Sequence, residues 1–133
     1  MIKLGIIKGG QLGRMLAQAA VGFDLQIFVM DDDPQCPCRD LCHGFTSGDP
    51  LDLNDVYAFG RTMDVLTLEY EHVNAEALER LEAEGIAVRP CASVIELVQD
   101  KGRQKGFYRT MNIPTADFIL TNGRSDLRAH ADF

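Results

Sequence analysis

Three short segments of this 133-residue sequence combine residue types and spacings that could bind or react. Residues 6–16, IIKGGQLGRML, set an apolar, strand-like run before Gly9, Gly10 and Gly13 and a helical pattern after them. A turn without side chains lets backbone amides approach an anion at the positive end of a helix. The dinucleotide fingerprint G-x-G-x-x-G would also need glycine at position 8, where this chain has Lys8. A lysine there suits a monophosphate; the plainer alternatives are a tight turn that binds nothing and an exposed charge. Residues 66–73, LTLEYEHV, bring Glu69 and Glu71 out of an apolar run onto one side, because strand side chains alternate. Two carboxylates so placed can accept hydrogen bonds from ribose hydroxyls or an amine, or they are solvated loop acids. Residues 99–105, QDKGRQK, offer Lys101, Arg103 and Lys105 to phosphates, or form an ordinary charged face. Asp31, closing the second strand-like run, either holds a ribose hydroxyl or belongs to a solvated acidic turn.

Cys36, Cys38, Cys42 and His43 crowd into one loop and raise a metal question. Structural zinc sites usually pair C-x2-4-C with a second pair well downstream, so this spacing favours incidental free thiols and no metal site is expected. Cys91, after a proline and with no base beside it, reads as structural.

The elements that position these residues follow from periodicity. Lys3 to Ile7 reads as a strand, and Gln11 to Val21 as a helix with Leu12, Met15, Leu16 and Ala19 on one stripe. Gln26 to Met30 is a second strand, followed by a loop and a short apolar piece around Phe45. Asp49 and Pro50 introduce a helix from about Leu51 to Arg61, and Val65 to Leu68 is the next strand. Asn74 caps the following helix, Gly85 stops it, and Ile86 to Val88 is a further strand. This alternation predicts an α/β fold, a doubly wound parallel sheet covered on both faces. From Ser93 the texture is helical, with a Ser93–Glu96 capping box and a break around Asp100 and Gly102. After Pro114, Ala116 to Leu120 reads as one more strand and Ser125 to His130 as the start of a helix. A chain that begins a new strand and helix and then stops is expected to continue into a second domain.

Composition narrows the function. The residues are 46% hydrophobic and 25% charged, in the range of a globular domain. No apolar stretch approaches the about 20 residues that cross a bilayer, and no export signal opens the chain, so cytoplasmic residence and no membrane partner are expected. A formal net charge of −7 argues against nucleic acid, which needs basic surface. Small-molecule chemistry is left.

Taken together and in order, Gly-Gly-Gln-Leu-Gly-Arg-Met (9–15), Glu-Tyr-Glu-His-Val (69–73), Val-Arg-Pro (88–90), Gln-Asp-Lys (99–101) and Ile-Pro-Thr (113–115) resemble the 5-(carboxyamino)imidazole ribonucleotide synthases. These are the ATPase subunits of phosphoribosylaminoimidazole carboxylase, in the ATP-grasp superfamily. The resemblance covers essentially the whole chain but only the N-terminal third or so of such an enzyme. It implies a Rossmann-like preATP-grasp, substrate-binding domain over residues 1–98 and the incomplete beginning of an ATP-grasp domain over 99–133. It further implies an ATP-dependent carbon–nitrogen ligase of purine synthesis, in which ATP and bicarbonate give carboxyphosphate and the carboxyl group passes to aminoimidazole ribonucleotide. By position, Gly10, Gln11, Leu12 and Glu69 would hold the phosphoribosyl substrate and Lys101 would contact ATP. The magnesium carboxylates and the other phosphoryl-transfer groups belong to later segments of the family, so these residues alone are expected not to turn over. A homodimer, common among family members, is implied too. Two positions depart from the pattern: Lys8 replaces a common glycine, and His72 stands where asparagine is frequent. Two alternatives stay open. A formate-dependent glycinamide ribonucleotide transformylase shares the layout, but carries Glu-Leu-Gly where this chain has Gln11-Leu12-Gly13. A stand-alone, non-catalytic nucleotide-binding module is the second.

Overall fold

The computed structural model describes residues 1–130, which divide into a unit spanning Met1–Gln99 and another from Asp100 onward. In the first, β1 (Ile2–Ile7), β2 (Leu25–Asp31), β3 (Gly44–Ser47), β4 (Val65–Leu68) and β5 (Ala87–Val88) form one sheet in the order β3-β2-β1-β4-β5. Every pairing is parallel, so each connection must cross over a face of the sheet. The doubly wound α/β fold expected from the alternation is the one found.

Alternation along β1 sends Ile6 and Ile7, both fully buried, to opposite faces. Ile6 joins Ile27 and Val29 beneath α1 (Gln11–Ala20) and the cysteine loop, contacting Ala17, Ala20, Cys36 and Cys38. Ile7 joins Met30, Leu66 and Val88 beneath α2 (Leu53–Gly60), α3 (Ala75–Ala83) and α4 (Ala92–Gln99), which contribute Phe59, Leu78, Leu81 and Ile95. Fully burying one such aliphatic side chain contributes about 1.5–3 kcal/mol, so both faces are sealed by apolar contact.

Local chemistry sets the element ends. The Asp52 carboxylate accepts from the Asn54 and Asp55 amides at 2.8 and 3.0 Å, starting α2 two residues after the expected Leu51. Asn74 Oδ1 accepts from Ala77 N–H at 2.9 Å and Gly85 adopts φ +91°, so α3 is capped and stopped where the sequence indicates. The Ser93–Glu96 capping box does not form. Val94 and Ile95 donate instead to the Cys91 carbonyl, which puts the helix start two residues earlier, at Ala92, and Ser93 inside it.

A further correction concerns α1. Leu12, Met15, Leu16 and Ala19, the stripe seen in the sequence, are all exposed, the first three at 61, 56 and 38%, while Gly13, Ala17 and Ala20 face the sheet. Close approach of the helix to the strands favours its small-residue face, and periodicity of apolar residues does not register that.

The second unit holds α5 (Lys101–Thr110) and α6 (Arg124–Ala129). Asp100 caps α5 by accepting from Arg103 N–H at 2.9 Å, so the expected break is real, whereas Gly102 lies within the helix. Ala116 to Leu120 forms no strand. No strand among the described residues lies alongside to complete a ladder, and an extended segment without one keeps its backbone groups for solvent. Among the described residues, no helix is long and apolar enough to cross a membrane.

Candidate functional site

The carboxyl ends of β1, β2 and β4 converge on the glycine turn, where open α/β sheets bind ligands. Lys8 leaves β1 in the left-handed region at φ 71°, a conformation that explains why glycine is favoured at this point of such turns. Its ammonium lies 2.8 Å from Asp31 Oδ1 and also pairs with Asp32. Burial acts to lower the Lys8 pKa, but the hydrogen bonds and charges of Asp31 and Asp32 outweigh it and raise the value above the ordinary lysine range. Lys8 is therefore neither an exposed charge nor a cation held out toward a phosphate.

Asp31 is only 1% exposed. Its Oδ2 accepts from Gly9 N–H at 2.6 Å, and its Oδ1 accepts from Asp33 N–H at 2.9 Å as well as from Lys8. Both oxygens are engaged inside the fold, so Asp31 is not the ribose-binding acid of a dinucleotide site, nor a solvated turn residue.

Gly10 is the N-cap of α1 and has no side chain with which to cap it. The Glu69 carboxylate supplies the missing acceptor from across the sheet: Oε2 accepts from Gly13 N–H, the third amide of the helix, at 2.9 Å. A Cβ on Gly10 would lie 2.6 Å from Glu69 Oε1, and one on Gly13 would lie 2.8 Å from Oε2 and 2.7 Å from the Lys8 carbonyl. Gly13 is thus required by contact with the Lys8 backbone, whereas a side chain at Gly10 would displace the Glu69 carboxylate. The first i to i−4 bond of α1 runs from Arg14 to Gly10, so the amides of Gln11 and Leu12 precede it and project beyond the helix end. Both residues are exposed. Gly10, Gln11, Leu12 and Glu69, read from separate parts of the sequence, are brought together here.

Glu69 and Glu71 do not share a strand face. β4 ends at Leu68, and the chain turns, so Glu69 aims at α1 while the Glu71 and Val73 carbonyls accept from Gln99 Nε2, both at 2.8 Å. The same turn exposes Tyr70 and His72, whose rings meet at 4.8 Å between centroids. With Lys8, Asp32, Asp49, Pro50 and Leu51 they line an open groove of about 330 Å³. Both departures from the family pattern, Lys8 and His72, therefore border one groove. Asp49 and Tyr70 were not singled out by sequence reasoning, although Tyr70 lies between two glutamates that were.

Lys101 opens α5 in the second unit and is exposed. Lys105 donates to Thr115 Oγ1 and lies over the Phe118 ring. A larger open groove of this unit, about 520 Å³ around Tyr108 and Asn112–Phe118, is lined by none of the expected site residues.

The cysteine loop does not assemble a metal centre. Cys36 and Cys38 are buried beneath Gly9, with burial pushing the Cys38 thiol up to about 11, and Cys38 N–H donates to the Gly9 carbonyl at 2.9 Å. His43 Nδ1 accepts from Ile27 N–H at 3.0 Å, and Cys42 Sγ donates to the Arg39 carbonyl at 3.3 Å. Among the described residues no group of three His, Cys, Asp or Glu side chains is placed to hold an ion.

A five-stranded parallel sheet with a glycine turn opening onto a helix N-terminus defines a Rossmann-like α/β domain. Its saturated Asp31 separates it from dinucleotide enzymes. Residues 1–99 match the ribonucleotide synthetase preATP-grasp domain, and the chain belongs to that family. It is 36% identical over 128 residues to the chloroplastic phosphoribosylaminoimidazole carboxylase of Vigna aconitifolia, covering 96% of this chain and 22% of that protein. The structure of N5-carboxyaminoimidazole ribonucleotide synthetase from Thermotoga maritima superposes with a TM-score of 0.86 at 31% identity, over 97% of this chain and 36% of that one. N5-carboxyaminoimidazole synthase from Aspergillus clavatus, solved with ADP and 5-aminoimidazole ribonucleotide, gives 0.83 at 32% identity, over 98% and 35%. The chain spans about a fifth to a third of the length of the curated relatives it matches.

Proposed function

We propose that this chain is the N-terminal, ribonucleotide-binding part of an ATP-dependent ligase that carboxylates 5-aminoimidazole ribonucleotide. In that reaction bicarbonate attacks the γ-phosphorus of ATP, giving carboxyphosphate and ADP. The exocyclic amine then takes the carboxyl group, losing a proton as phosphate leaves. The chain's part is to bind and orient the ribonucleotide. The observation that carries this reading is the pair of projecting Gln11 and Leu12 amides beside the Glu69 carboxylate. Amides at a helix N-terminus suit a phosphate monoester, and a carboxylate next to them suits a ribose hydroxyl. Similar enzymes have been solved with ADP, with ATP, and with ADP and 5-aminoimidazole ribonucleotide together, which supports the same assignment.

In this reading Lys101 contacts ATP, residues 1–98 form the substrate domain and 99–133 open the ATP-grasp domain. Magnesium would neutralise the transferring phosphoryl group. Among the described residues, no group of three His, Cys, Asp or Glu side chains is placed to hold it. Cytoplasmic residence and self-association belong to the same reading, the latter supported by the exposed Leu12, Met15, Leu16 and Phe23 on and after α1.

Calorimetric titration with 5-aminoimidazole ribonucleotide and, separately, with NAD tests the proposal. Saturable binding of the ribonucleotide alone is expected. Binding of NAD without the ribonucleotide would replace the reading with a stand-alone nucleotide-binding module.

A further inference from the structure

An α-helix leaves its first amides without partners inside the helix, and a side chain at the N-cap usually satisfies the second or third of them. In α1 the N-cap is Gly10, which cannot do so. The acceptor comes from Glu69, 56 positions away, whose Oε2 takes the third amide, that of Gly13, at 2.9 Å. The surroundings are built for this contact. Gly10 and Gly13 leave no room for a Cβ against the carboxylate, and the Glu69 amide is tied to the end of β1 by donating to the Ile7 carbonyl at 3.0 Å. The Glu69 side chain therefore joins the end of β4 to the first turn of α1.

We propose that Glu69 is the N-cap of α1 supplied from another element and, through it, the positioning residue for the Gln11 and Leu12 amides. This rests on the reading of those amides as the phosphate contacts. It assigns Glu69 a part separate from touching a ribose hydroxyl. With Gly13 occupied, the helix end presents two amides, which confines an incoming phosphate to the outer edge of the turn. What the cap requires of residue 69 is an acceptor at glutamate's reach; the negative charge is secondary.

Two substitutions separate reach from charge. Glu69→Gln keeps an oxygen at the same distance and removes the charge. Glu69→Asp keeps the charge and draws the oxygen back by one methylene. Hydrogen exchange of the Gly13 amide, read by NMR, and calorimetric affinity for 5-aminoimidazole ribonucleotide are measured on the whole chain. With Gln, Gly13 protection should stay close to that of the unmodified protein, because the cap keeps its acceptor oxygen. With Asp, Gly13 should exchange about fivefold faster and the ribonucleotide should bind about fivefold more weakly, the equivalent of losing one helix cap. Equal Gly13 protection in all three proteins overturns the proposal. So does Gly13 protection lost in Gln but kept in Asp, which would make the charge, and not the reach, what holds the helix end. If the unmodified chain does not bind the ribonucleotide, the proposed function fails, and Gly13 exchange still decides whether Glu69 caps the helix.

Discussion

Lys8 Nζ lies 2.8 Å from Asp31 Oδ1, joining the first residue of the glycine turn to the last residue of β2 across 23 positions of sequence. The pair is unequal: the lysine side chain is a quarter exposed and the aspartate 2%. Removing the cation would leave a buried carboxylate held only by the Gly9 and Asp33 amides.

Lys8→Met should therefore destabilise the protein by about 2 kcal/mol, somewhat less than the loss of a fully buried partner. Lys8→Gly removes the same charge but relieves the left-handed backbone, a difference of about 1 kcal/mol in its favour. Urea unfolding at neutral pH should rank the proteins as unmodified, Gly, then Met. A Met variant as stable as the parent would show that the pair contributes nothing.

The same cluster sets a pH dependence. Hydrogen bonding to Lys8 holds the Asp32 carboxyl below its ordinary value, so this contribution is present above the unfolded pKa and is lost as pH falls through the lower folded one. The Lys8 pKa is raised, so its contribution is complete below the unfolded value near 10.5 and is lost as pH rises through the folded one. The stability difference between the parent and Lys8→Met should be flat from about pH 5 to 9 and shrink on either side. In the Met variant, the NMR titration of Asp32 should move up toward 3.8. An Asp32 midpoint unchanged by the substitution would contradict the pairing.

Thiol reactivity should separate Cys91 from Cys36 and Cys38. Cys91 is partly exposed, and its thiol pKa is lowered by the Ser93 contact, the Sγ to Oγ distance being 3.4 Å. Cys36 and Cys38 are buried and shifted up by that burial. A disulfide reagent at neutral pH should label Cys91 first and reach Cys36 and Cys38 only on unfolding, as mass spectrometry of the labelled peptides would show. Early labelling of Cys38 would mean that the loop beneath Gly9 opens readily.

Gly9 itself should tolerate no side chain. A Cβ there would lie 2.7 Å from both Cys36 Sγ and Val29 Cγ1, so Gly9→Ala should lower stability by about 1–3 kcal/mol in urea unfolding. In the Gly9→Ala, Cys36→Ala double variant part of that loss should return; additive losses would exclude the Cys36 clash as the cause.

What could be read from the sequence was what neighbouring residues decide among themselves. β4 falls at the expected Val65–Leu68, Asn74 caps α3, Gly85 ends it, and the order of strands and helices required a parallel sheet. Each rests on local periodicity or on a side chain reaching two or three residues along the chain. The candidate ligand residues Gly10, Gln11, Leu12 and Glu69 were legible as types, and Gly10, Gln11 and Leu12 as neighbours. Only tertiary structure decided that Glu69 caps α1 in place of Gly10 and that Asp31 is consumed by Lys8 and Gly9. It alone turned α1 so that Gly13, Ala17 and Ala20 meet the sheet while Leu12, Met15 and Leu16 stay outside. The reason is distance along the chain: a hydrogen bond between residues 23 or 56 positions apart leaves no periodic trace. A helix chooses the face it buries by how closely its partner can approach, and only the folded partner sets that.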